Sequence, residues 1–115
     1  MRTVKQSETK PDFIAAGRTR YLAHTDNVMV VVVDFNDGPA PEPDPPHSHP
    51  HEQVSYVASG EINLILGTEE TRLSEGDMFT VPANVPHTVQ TLCKHVRLID
   101  AFNPIRKDFL RRPID

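Results

Sequence analysis

Hydrophobic positions in this chain fall in short runs cut by Gly, Pro and acidic turns, the punctuation of a strand-rich protein. Glu61–Leu66 shows the clearest alternation: Ile62, Leu64 and Leu66 share one face opposite Asn63, as in a strand with one side in a core. Val28–Phe35 is short, β-branched and almost wholly apolar, which predicts a buried strand. Further strands are expected at Phe13–Ala15 and Arg20–Ala23 around Gly17, then at Gln53–Ala58, Thr71–Leu73, Met78–Val81, His87–Leu92 and Val96–Phe102. Gly67–Glu70 and Ser74–Asp77 read as turns, and Pro82–Pro86 as a tight loop in which Asn84 takes positive φ. No helix is expected before Pro104, and Arg106–Arg112 offers a turn or two. The five prolines between residues 36 and 46 predict a stiff, extended loop that neither coils nor pairs as it delivers His47. The class is therefore all-β, a sandwich or barrel.

At 115 residues the chain has the size of a single domain. Residues 1–10 read as a polar arm, 11–103 as the barrel and 104–115 as a tail. A net charge of −4 argues against nucleic acid or an anionic membrane surface as partner. A small anionic substrate stays compatible, because a metal ion and one arginine can reverse the sign locally. Cys93 is the only cysteine, so no internal disulfide forms and a reducing compartment suits the chain. The longest apolar run, Val28 to Val33, falls far short of the ~20 residues that span a bilayer. No apolar leader follows the charged N-terminus, so a cytoplasmic location is expected.

Candidate chemistry sits in two stretches. The first runs His47-Ser-His49-Pro-His-Glu-Gln53, the second Gly76-Asp-Met-Phe-Thr-Val-Pro82-Ala-Asn84-Val-Pro-His87. His47, His49 and Gln53 share parity, so an extended strand projects them to one side, and a closed barrel brings His87 across to face them. Three imidazoles and an amide oxygen suit a divalent metal such as Zn, Ni, Mn or Fe, and affinity alone does not choose among them. Four neutral ligands leave the +2 charge uncompensated, which favours an anionic ligand and polarises hydroxyl or carbonyl groups. Glu52 has outward parity and is the weaker fourth ligand; His51 is expected at the periphery, and His24 and His95 as ordinary histidines. Cys93 reads as a small apolar filler. In the last strand Val96, Leu98, Asp100 and Phe102 share the inward face, and a carboxylate there is costly unless paired or used. Arg106, beyond Pro104, is placed to close over the barrel mouth.

With these residues placed, the chain resembles the cupin family, the small double-stranded β-helix or jelly-roll barrel. The first cupin signature is met by His47, His49, Gln53 and Gly60, and the second by Gly76, Pro82 and His87, with Asn84 where a glycine is usual. The pattern Asp100-x-Phe102-x-Pro104-x-Arg106-x-Asp-Phe is similar to the C-terminal signature of the pectin-degradation cupins. That resemblance implies metal held by His47, His49, Gln53 and His87, with Asp100 as acid/base. It further implies Phe102 as pocket wall, Arg106 against the substrate carboxylate, and conversion of 4,5-unsaturated monouronates to linear 4-deoxy-5-keto uronates. Two other readings stand beside it: a metal-dependent dioxygenase of a small substrate, and a small-molecule-binding cupin without chemistry. The expected macromolecular partner is a second copy of the chain, a homodimer, with the polar arm covering a sheet edge.

Overall fold

The computed structural model describes residues 3–110. A 3-10 turn at Gln6–Glu8 precedes nine strands: β1 (Asp12–Ala15), β2 (Arg18–His24), β3 (Met29–Phe35), β4 (Glu52–Ser59), β5 (Glu61–Leu66), β6 (Glu69–Ser74), β7 (Met78–Val81), β8 (His87–Thr91) and β9 (Val96–Asn103). A second 3-10 turn follows at Lys107–Phe109; residues 111 and 112, expected in the same turn, lie outside the described residues. The strands pair antiparallel into a six-stranded sheet, β1-β2-β3-β9-β4-β7, and a three-stranded sheet, β6-β5-β8. This is the all-β class that the alternation predicts, in the jelly-roll form that the cupin resemblance implies.

The inner faces of the two sheets make the core. Phe35, Val57, Ile62, Leu64, Phe79, Val81, Val96 and Leu98 form one buried cluster, and Met29, Val31, Phe102 and Ile105 a second. Each fully buried aliphatic side chain contributes about 1.5–3 kcal/mol relative to exposure. Along β9 the register sets Asp100 opposite Val31 on one side and Ser55 on the other, so the carboxylate shares its face with buried Leu98 and Phe102 and has Ser55 as its polar neighbour.

The buried-strand expectation for Val28–Phe35 needs correction. The strand starts at Met29, and only alternate residues are inside: Met29 and Val31 are fully buried, whereas Val28 and Val30 are nearly half exposed. Outer-face neighbours Val54, Tyr56 and Met78 are exposed as well. An unbroken apolar run reports two apolar faces, not two covered ones. The 3-10 turn at Gln6–Glu8 was also not expected, and β6 begins at Glu69, inside the stretch read as a turn.

The proline-rich loop does pair, contrary to expectation. Prolines at 39, 41, 43 and 45 alternate with other residues, so the missing donors fall on one side. The N–H groups of Ala40, Asp44 and His47 donate to the carbonyls of Thr91, Val89 and His87 at 3.0, 3.4 and 3.0 Å. Thr88 and Gln90 side chains donate back to the carbonyls of Asp44 and Ala40 at 2.8 and 3.0 Å. Arg18 then pins the loop to the large sheet through Asp37 at 3.1 Å and Asp44 at 2.5 Å.

Two backbone positions set the turns beside the signatures. Gly60 has φ +87°, and a Cβ there would lie 2.4 Å from the His95 carbonyl oxygen. Asn84 holds φ 66°, the positive value expected of it.

On the outer face Asp34 and Arg97 are register partners on β3 and β9. The guanidinium donates through Nε and Nη2 to the carboxylate at 2.8 and 2.9 Å, and His95 Nε2 lies 3.1 Å from it. Burial pushes the Asp34 carboxyl up, but these hydrogen bonds and charges outweigh it and hold the pKa below the usual range. With the folded value below the unfolded one, ionised Asp34 stabilises the fold above about pH 4, and that contribution is lost as pH falls through the folded pKa. Asp34→Asn is therefore expected to cost about 1–3 kcal/mol at neutral pH. In urea denaturation at stepped pH, its gap from the wild type should close in acid.

Candidate metal centre

His47 ends the proline-rich loop and His87 opens β8. The two exchange both backbone hydrogen bonds, at 3.0 and 2.9 Å, an antiparallel bridge outside the named strands. His49 follows in the coil before β4, and only Gln53 lies on that strand. The residues converge as expected, but a bridge between two chain segments gathers them, not parity along one strand. Asn84 contributes unexpectedly, its N–H donating to the His49 carbonyl at 2.7 Å and so tying the second signature to the first.

The side-chain nitrogens of His47, His49 and His87 lie within 4.8 Å of one another. His49 and His87 are buried; His47 is exposed at the mouth. His49 Nδ1 sits 3.0 Å from the His51 carbonyl, and His87 Nδ1 2.9 Å from the Val85 carbonyl. A carbonyl oxygen can only accept, so both Nδ1 atoms carry the proton and each neutral ring presents the lone pair of Nε2. His87 Nε2 is buried and has no hydrogen-bond partner among the described residues. Gln53 Oε1 lies 3.1 Å from His49 Nε2, an acceptor facing an acceptor. Burial is the main cause that pushes the pKa of both His47 and His87 down, and it favours the neutral form that ligates. Neighbouring histidines and Arg106 add to the effect. Converging lone pairs without a donor between them fit a divalent cation, and His47, His49 and His87 can hold one.

Gln53 Nε2 donates to Ser55 Oγ at 2.9 Å, and Ser55 Oγ donates to Asp100 Oδ1 at 2.5 Å. Burial raises the Asp100 pKa to about 6, against the Ser55 hydrogen bond, the Arg106 charge and the Gln53 hydrogen bond, which pull it down. A cavity of about 270 Å³ is lined by His47, Gln53 and His87 together with Asp100, Phe102 and Arg106. Asp44, Thr88 and the apolar Phe35, Phe79, Val89, Leu98 and Phe109 complete the wall.

Arg106 does reach the cavity, and its surroundings were not legible beforehand. Its guanidinium lies 5.1 Å from the Phe102 ring centroid and 4.1 Å from that of Phe109. Nε and Nη2 donate to Asp108 at 3.0 and 2.8 Å. That bond is the first cause holding the Asp108 carboxyl below its usual range. Asp108 and Phe109 close the C-terminal pattern that begins at Asp100, but the pattern does not tell that they hold Arg106. Ser55 could have been found, since it shares Gln53's inward parity.

The other candidates separate as expected. Glu52 is exposed on β4 beside buried Gln53. His51 packs edge-on against His49 and Phe102 at ring distances of 5.5 and 6.5 Å. His24 bonds its neighbour's carbonyl, His95 joins Asp34, and Cys93 packs against the core cluster.

A jelly roll with three histidines gathered at one end of its cavity is the cupin arrangement. A profile described as a cupin domain matches residues 35–102, and the chain belongs to the cupin family. It is 34% identical over 93 residues to the pectin degradation protein KdgF of Dickeya dadantii, covering 81% of this chain and 83% of that protein. The structure of KdgF from Halomonas sp. superposes with a TM-score of 0.84 at 34% identity, covering 92% of this chain and 96% of that one. An RmlC-like cupin from Shewanella frigidimarina gives 0.81 at 31% identity, covering 96% and 100%.

Adding Zn²⁺, Ni²⁺ or Mn²⁺ after chelator treatment should raise the melting temperature, because binding to the folded form alone stabilises it. The gain should vanish in His49→Ala and in His87→Ala, as measured by differential scanning fluorimetry.

Proposed function

We propose that this chain is a metal-dependent enzyme acting on a small sugar acid, converting 4,5-unsaturated monouronates to linear 4-deoxy-5-keto uronates. The observation that carries the reading is the shared cavity: Asp100, Phe102 and Arg106 line the same space as His47, Gln53 and His87. Its volume, just under the roughly 300–1,000 Å³ of drug-sized ligand pockets, suits one small molecule. The similarity to proteins named for pectin degradation supports a uronate over other acids.

His47, His49, Gln53 and His87 would hold the metal. When bound, a divalent cation supplies Lewis acidity toward substrate oxygens. Arg106 meets the substrate carboxylate: Asp108 occupies Nε and Nη2, and among the described residues Nη1 has no partner. Phe102, 3% exposed, forms the wall against which the sugar ring lies. Ring opening breaks the C1–O5 bond, passing the C1 hydroxyl proton to the ring oxygen and leaving an aldehyde at C1 and an enol across C4 and C5. Asp100 then takes the enol proton and delivers it to C4, so C5 becomes a ketone. The sum is an isomerisation that needs no co-reactant.

The donor set argues against the dioxygenase alternative, since Glu52 faces outward and adds no carboxylate to the histidines. A homodimer is part of the proposal, supported by the exposed Val28, Val30, Val54, Tyr56 and Met78 on one sheet face. Light scattering should return twice the monomer mass.

Decay of the C4=C5 ultraviolet absorbance of an unsaturated monouronate should accelerate with enzyme and slow with chelator. Asp100→Asn should lose about 10²–10⁴-fold in rate, the usual worth of a positioned acid/base, with metal content retained. Arg106→Met should raise KM. No acceleration over spontaneous decay would refute the reaction, and a ligand that stabilises the protein but is recovered unchanged would mark a binding module.

A further inference from the structure

The three-residue chain behind the metal centre has a direction, set by the carboxylate at its far end. Ser55, 1% exposed, sits between Gln53 and Asp100, with Oγ 2.9 Å from Gln53 Nε2 and 2.5 Å from Asp100 Oδ1. An ionised carboxylate only accepts, so the single hydroxyl proton of Ser55 goes to Asp100. Ser55 Oγ is then left with lone pairs alone toward Gln53 and must receive a proton from it. The amide supplies one from Nε2, which also meets Asp100 directly, and this turns Oε1 toward His49.

The opposite amide orientation has its own attraction. Turned over, Gln53 would donate from Nε2 to the bare lone pair of His49 Nε2 and present nitrogen, not oxygen, to the histidines. It would also set its oxygen against Ser55, whose proton is already committed, so two acceptors would meet in a buried site with no donor between them. An unsatisfied buried acceptor costs more than an ordinary hydrogen bond returns.

We infer that Ser55 is a positioning residue: relaying the acceptor character of Asp100, it fixes the Gln53 amide with its oxygen toward the histidines. The same proton count accounts for an amide, not a carboxylate, at position 53. A carboxylate has no proton for Ser55 while Asp100 holds the serine's own. The inference rests on the metal reading above and assigns a role to a side chain outside the ligand set.

The test is metal affinity, measured by calorimetry with Zn²⁺ or Ni²⁺ at alkaline pH on the chelator-treated full chain. Ser55→Ala should bind about 10–100-fold more weakly, the usual effect of losing a group that orients a ligand. Ser55→Thr, which keeps the hydroxyl, should restore most of it. In a Gln53→Ala background Ser55→Ala should have no further effect, because the side chain it orients is gone. Affinity within twofold of wild type for Ser55→Ala, or an equal loss in both backgrounds, overturns the inference and leaves the metal reading intact. A wild type that binds neither metal overturns both. Should Ser55→Ala not fold, the wild-type Gln53 side-chain amide decides by nuclear magnetic resonance. Slow exchange of the proton given to Ser55 is expected, and solvent-rate exchange of both amide protons refutes the role.

Discussion

Everything at the open end of this barrel depends on where two protons are not. With Nδ1 of His49 and of His87 given to backbone carbonyls two residues away, neither neutral ring can donate from Nε2. The backbone, through the coil before β4 and the loop before β8, has decided the tautomers in advance. Gln53 adds an oxygen to the same space, and among the described residues no side chain donates to His87 Nε2. Such a gathering of lone pairs is unfavourable in itself, and positive charge is what relieves it.

Arg106 meets a related constraint in a different manner. A guanidinium on a short connection after β9 has many rotamers to lose. The Phe102 and Phe109 rings, set edge to face with one another, pack against it from adjacent sides and Asp108 takes one edge, so three neighbours within four residues of chain confine it. Pairing with Asp108 also moderates the positive charge beside the histidines.

How much of this was legible in the sequence follows from which interactions are local. Strand order along the chain, the inward faces of β5 and β9 and the positive φ of Asn84 came from period-two patterning and turn chemistry, which act over a few residues. The convergence of His47, His49 and His87 was expected, but its cause was not. The His47–His87 bridge joins segments forty residues apart, and no window on the sequence contains it. The proline-rich loop misled because prolines were counted as lost donors, while the alternate N–H groups of Ala40 and Asp44 remained to pair with β8. Val28 and Val30 misled because burial is set by what packs on a strand, and hydrophobicity alone does not reveal that partner.

The bridge between His47 and His87 has one more consequence. Gln53 hangs from the six-stranded sheet and His87 from the three-stranded one, so an ion seated among them would clasp the two layers together at the rim. Elsewhere the layers meet through apolar contacts and through the proline-rich loop, which pairs with β8 and is tied by Arg18 to the larger sheet. A coordinated clasp has fixed angles and resists sliding as well as separation. Its occupancy would set how far the barrel breathes as well as what it binds.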